Sequence, residues 1–334
     1  MSQQTTPQDL KPLKPWLSYA AQLAQLRARG LQVQDDSAAL NYVARLGYYR
    51  LSGYWYPMRA VALQASAQQG RAVRSDRFVP GSRFQNVVQL YVFDKKLRLL
   101  ALDALERIEM AVRVDVAHVL GQRDPLAHLK PTHLHGNFTK KVMAKGPGAG
   151  KTLHQLWLEK FQQLQAQARK QPLVEHHLRV YGALPVWAAV EVWDFGLLSK
   201  LFAGMQHADQ QTIAHRYGVA DGKALGQWLR SLNMIRNVAA HHSRLWNLNV
   251  LELSPLPPRV ARTTEAGAAI FLLLLDAALA GPDLPQLHLG RTAGAVVGRG
   301  LCSKRRRAYW RCQILACTLA GRRGLCGRRY EGHK

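Results

Sequence analysis

From Arg236 to Asn247 the chain reads Arg-Asn-Val-Ala-Ala-His-His-Ser-Arg-Leu-Trp-Asn, which sets guanidinium, imidazole and amide groups at the end of an apolar helical pattern. These groups can handle phosphate. A neutral imidazole, with an ordinary pKa of about 6.5, can take a proton from a hydroxyl near neutrality. A guanidinium offers a fixed fork of donors to paired phosphoryl oxygens. Arg236 and His241 have four residues between them, and with 31 Arg and 13 His in the chain about one such pair is expected by chance. Four occur, so context has to separate them. Arg123 and His128 enclose Pro125, which disfavours a regular helix. Arg328 and His333 lie in a basic tail, and Arg113, paired with His118, reads as a helix-surface residue in an amphipathic stretch. Arg236 alone is followed by an amide, Asn237, then by a second imidazole, His242, and a second guanidinium, Arg244. Structural work is the competing reading: Arg236 and His241 could cap a helix or tie two helices together. Leu245 and Trp246 read as core.

Other chemistries find little support. Gly146 to Thr152 imitates a phosphate loop, but the spacing is one residue short, Lys145 stands where the first Gly is needed, and no apolar strand precedes it. His133 with His135, and His176 with His177, have no acidic or thiol partners at ligand spacing, so no metal and no cofactor is expected. The chain has no Gly-x-Ser-x-Gly elbow, and its cysteines, Cys302, Cys312, Cys317 and Cys326, all fall in the tail without zinc-site spacing.

Charge points to the partner class. Lys and Arg total 46 against 21 Asp and Glu, a formal +25 over 334 residues, so the field of the molecule attracts polyanions, nucleic acid first. The first ten residues are polar, without the apolar stretch of a signal peptide, and the longest apolar run, Ala266 to Leu275, ends at Asp276, short of a membrane span. The expectation is a cytoplasmic chain without a membrane partner.

The elements that must position the motif are helical. From Trp16 to about Ala280, stretches rich in Leu, Ala, Gln, Arg and Glu repeat apolar residues at three and four, and no sustained two-residue alternation appears. Val87–Leu120, Leu153–Gln171, Val186–Phe202, Gly222–Asn247 and Arg262–Leu279 each read as a helix or a helix pair. The fold class is all-α. Gln69–Pro80 and Pro131–Lys151 read as polar, basic connections, the second carrying Lys140 and Lys141 as candidate phosphate contacts. The division expected is a flexible start over residues 1–14, a helical domain over 15–285 and a basic tail over 286–334. Arg291–Lys334 holds twelve Lys or Arg against Glu331 alone and reads as disordered.

Arg236 to Asn247 resembles the motif of Abi-like (abortive infection) proteins, within the HEPN class of helical ribonucleases and nucleic-acid-binding domains. Further blocks resemble that family in order: a segment like its opening at Leu23–Leu46, then Tyr48-Tyr49-Arg50-Leu51-Ser52-Gly53-Tyr54-Trp55-Tyr56-Pro57, Phe93-Asp94-Lys95-Lys96-Leu97-Arg98, Glu106-Arg107-Ile108-Glu109, and Leu184-Pro185-Val186-Trp187 through Lys200. The likeness covers about residues 15 to 280. It implies a HEPN-like bundle with an N-terminal helical extension, in which Arg236, Asn237 and His241 are catalytic. His241 would take the proton of a ribose 2′-OH while Arg236 neutralises phosphoryl charge, giving a 2′,3′-cyclic phosphate and sparing DNA. His242, Arg244, Arg50, Lys140 and Lys141 are the expected substrate contacts.

On an ideal helix positions 236 and 241 lie about 140° apart, while Asn237 and His241 share a face, so Arg236 has to reach round. The resemblance also implies a homodimer whose two motif helices share one cleft, and a toxin-like activity held back by a neutralising partner or regulatory RNA. Tyr48, Tyr49, Tyr54 and Trp55 could stack on unpaired bases, although core packing explains them as well. An RNA-binding protein without catalysis, and a helical scaffold, remain as alternatives.

Overall fold

The computed structural model describes residues 13–69, 72–219 and 221–248. The expected helix Arg262–Leu279, the basic tail and its cysteines lie outside these residues. The chain divides between Phe93 and Asp94 into two compact units.

In the first unit, α1 (Tyr19–Ala28) begins where the Ser18 hydroxyl accepts the Ala21 N–H, and α2 (Asp36–Leu46) where the Asp35 carboxylate accepts the Ala38 N–H at 2.9 Å. Gly47, at φ +82°, both ends α2 and starts α3 (Tyr48–Trp55), a backbone that a residue with a Cβ adopts reluctantly. Leu26, Val43, Leu51, Tyr54 and Trp55 close a core with Val87, from the first turns of the long helix α5 (Phe84–Gly121). Tyr54 and Trp55 are thus packing residues. Tyr48 meets Trp55 edge-on, and Tyr49 is 74% exposed.

A strand pair interrupts the helical expectation. After the short strand β1 (Arg59–Val61) comes α4 (Leu63–Gln69), and β2 (Arg74–Phe78) returns antiparallel to β1. The basic connection Gln69–Pro80 is therefore partly a strand. The two strands have three and five residues, too few to show a period of two, and charge dominates the second. Tertiary bonds hold them: the Phe78 N–H donates to the Arg29 carbonyl, and Arg74 donates to the Arg59 carbonyl.

The second unit is helical. From Asp94 onward, α5 lays Ile108, Val112, Val116 and Leu120 along one stripe. Against this core pack α6 (Gly136–Thr139), α7 (Leu153–Gln167), α8 (Pro172–Tyr181), α9 (Val186–Ala189), α10 (Phe195–Gly204), α11 (His207–Arg216) and α12 (Gly222–Ala240). Each fully buried Leu or Phe contributes about 1.5–3 kcal/mol of transfer free energy. The segment that imitates a phosphate loop ends at Thr152, which pairs across a bridge with Val142 and forms a capping box with Gln155 at the start of α7. Among the described residues no helix is long and apolar enough to cross a membrane.

Candidate nucleic-acid site at the end of helix α12

The last helix of the second unit carries the motif. α12 starts at its cap Asp221, whose carboxylate accepts the Lys223 N–H at 3.0 Å, and buries Leu225, Leu229, Leu232 and Ile235 against the core. By the 3.6-residue repeat, Arg230, Asn233, Asn237 and His241 share the opposite face. The sequence pattern carries this helix toward Asn247, but the helix stops at Ala240. The His241 N–H still bonds the Asn237 carbonyl at 3.0 Å. Then His242 turns to φ +57°, its N–H meets the Ala239 carbonyl, and the Ser243 N–H returns to the Val238 carbonyl at 2.9 Å. This is a Schellman ending with His where Gly is usual.

Beyond the turn, residues 243–246 are tied to α5. The Asp94 carboxylate, fully buried, accepts the backbone N–H groups of Leu245 at 3.1 Å and Trp246 at 2.6 Å through the same oxygen, Oδ1. Its other oxygen takes an ion pair with Arg98, which also donates to the Ser243 carbonyl at 3.4 Å. Leu245 is buried, as its sequence suggests, and Trp246 is half-buried.

The candidate groups stand at this helix end. Arg236, half-buried, donates from Nη1 to Asn237 Oδ1 at 3.4 Å. His241, His242, Ser243 and Arg244 are exposed. Lys140 closes α6 and is exposed with Lys141. Arg50 is exposed on α3, in the first unit.

The two other Arg–His pairs among the described residues are structural. Arg113, which the sequence pattern puts on a helix surface, turns inward: it is ion-paired with Glu109 and donates to the Trp193 carbonyl, while His118 contacts Gln122. Arg123 pairs with the buried Asp209, and His128 is fully buried against the rings of Trp157, Phe161 and Trp193. Desolvation, with the neighbouring His154 adding to it, pushes the His128 imidazole down to about 4. Burial lowers His154 as well, against a bond from its Nε2 to the His128 carbonyl. Burial and the hydrogen bond to Asp115 raise Tyr217.

Three further residues lie next to the candidate groups. Asn233 lies one turn before Asn237, and a Cβ on Gly196 would stand 3.5 Å from its Nδ2 and 3.3 Å from Asp194 Oδ1, so the first turn of α10 approaches this polar face. Asn233 has a signal in sequence, its spacing from Asn237 and His241. Asp94 and Arg98 lie in a block that resembles the family, but their four-residue spacing is one that any helix-surface ion pair shares.

A family model described as Abi-like protein matches residues 41–247, more than half of the chain. The chain belongs to the Abi-like family. The match runs to Asn247, so it takes in Asp94, Arg98 and the whole Abi-like motif from Arg236. Neither the curated proteins nor the solved structures give a match.

Proposed function

We propose that this Abi-like protein is a metal-independent endoribonuclease of the HEPN type, acting in the cytosol in abortive-infection defence. The observation that carries this reading is the gathering of Arg236, Asn237 and an exposed His241 at one helix end. His241 removes the proton from a ribose 2′-OH as that oxygen bonds to the adjacent phosphorus. Arg236, steadied by Asn237, neutralises the charge that grows on the phosphoryl oxygens. The bond from phosphorus to the 5′ oxygen breaks, the leaving oxygen takes a proton, and the products are a 2′,3′-cyclic phosphate and a 5′-hydroxyl. His242, Arg244, Arg50, Lys140 and Lys141 contact the backbone phosphates. Two copies meeting across a two-fold axis would bring two such helix ends to one cleft, and a neutralising partner or regulatory RNA would restrain the activity.

The test is cleavage of a labelled mixed-sequence RNA in EDTA by the wild type and by His241→Ala. Cleavage by the wild type with cyclic ends, lost in His241→Ala by about 10²-fold or more while RNA binding persists, supports the reading. Tight RNA binding with no product from either would make the protein a binding module. A fall in stability alone on His241→Ala would make the motif structural.

A further inference from the structure

The turn that presents His241 is held by its own backbone bonds and, beyond them, by contacts from α5. A left-handed residue other than Gly is strained and persists where its surroundings over-determine it. Beyond the turn's own bonds, those surroundings include the Asp94–Arg98 pair on α5. One Asp94 oxygen holds Leu245 and Trp246 by their backbone, and the other is locked by Arg98. Arg98 in turn grips Ser243, so both ends of the stretch 243–246 are fixed to one turn of a 38-residue helix. The pair is nearly inaccessible to solvent, Asp94 at 0% and Arg98 at 5% exposure, where charge-assisted bonds are strong and exchange little with water.

We infer that Asp94, locked by Arg98, is the positioning residue of the site: it fixes the turn after α12 and thereby the direction of His241. Asp94 touches no substrate. The inference rests on the nuclease reading for its kinetic consequence, but its geometric content stands apart from it.

The experiment compares full-length wild type with Asp94→Asn, which keeps an acceptor and loses the charge, and Arg98→Lys, which keeps the charge and loses the fork. Three quantities are read: kcat against RNA affinity, hydrogen exchange at the Leu245 and Trp246 amides, and the imidazole resonances of His241. In Asp94→Asn, kcat falls by about 10²-fold with RNA affinity held to about twofold, because a small misplacement of a catalytic group has that scale. The two amides exchange faster and the His241 resonances move; Arg98→Lys gives the same changes in weaker form. A folded Asp94→Asn with unmoved His241 resonances overturns the inference, as does an equal loss of affinity and kcat. Should Asp94→Asn not fold, Arg98→Lys decides by the same readouts. If the wild type cleaves no RNA, the nuclease reading falls, and the His241 resonances still decide whether Asp94 positions the turn.

Discussion

Arg236 donates to the side-chain oxygen of Asn237 at 3.4 Å, although neighbours on a helix point about 100° apart. The two side chains therefore lean toward one another, and the amide holds the guanidinium. Asn237→Ala removes this hold, and a bond to a charged group is worth about 1.5–3 kcal/mol, so RNA cleavage should fall by about 10- to 100-fold. Arg236→Lys, with a point charge in place of the fork, should cost at least as much. Single-turnover rates measure both, and an Asn237→Ala rate equal to wild type would show that the contact does not orient Arg236.

His242 occupies φ +57°, where a β-branched side chain is an outlier and Asn is tolerated. His242→Val should lower stability by about 1–2 kcal/mol relative to His242→Asn. Urea unfolding of the two variants gives the difference directly. Equal midpoints would mean that the turn relaxes out of the left-handed region.

His128 is held neutral with both ring nitrogens lacking a hydrogen-bond partner, its pKa pushed from 6.5 to about 4. Its folded pKa is the depressed one, so below about pH 6.5 the unfolded chain binds a proton that the folded chain refuses. Stability present above pH 6.5 is lost as pH falls toward 4, by up to about 3 kcal/mol at roughly 1.4 kcal/mol per pH unit. His154, also lowered, acts in the same direction. Melting temperatures at pH 7 and pH 5 should diverge in the wild type and converge partly in His128→Leu. An unchanged pH dependence in His128→Leu would place the acid-sensitive group elsewhere.

Lys140 and Lys141 are exposed beside one another at the end of α6. If both meet phosphate, replacing them with Ala should reduce the slope of log affinity against log salt by about 1.4, from roughly 0.7 per phosphate on a single strand. Fluorescence anisotropy across a salt series reads this slope. A parallel line for the double variant would remove both residues from the RNA contact.

Sequence by itself determined the all-α class of the second unit, because stripes such as Ile108, Val112, Val116 and Leu120 need only their spacing to declare a buried face. It also determined the family, and the group of Arg236, Asn237 and His241, since a local run of polar types at a helix end is visible without coordinates. Its helix limits failed where tertiary bonds competed with local pattern. The helix stops at Ala240, and the chain beyond it is tied to Asp94, more than a hundred residues away in sequence, which takes the N–H groups of Leu245 and Trp246. The same holds for the β1–β2 pair, whose register rests on Arg29 and Arg74. Context in the sequence set Arg236 and His241 apart from the other Arg–His pairs, and the tertiary structure alone showed where those others go, His128 into an aromatic core and Arg113 onto a carbonyl. Spacing records which residues share a helix face; which face is desolvated, and which distant charge holds the chain beyond the helix, is decided by the packing of segments that sequence keeps apart.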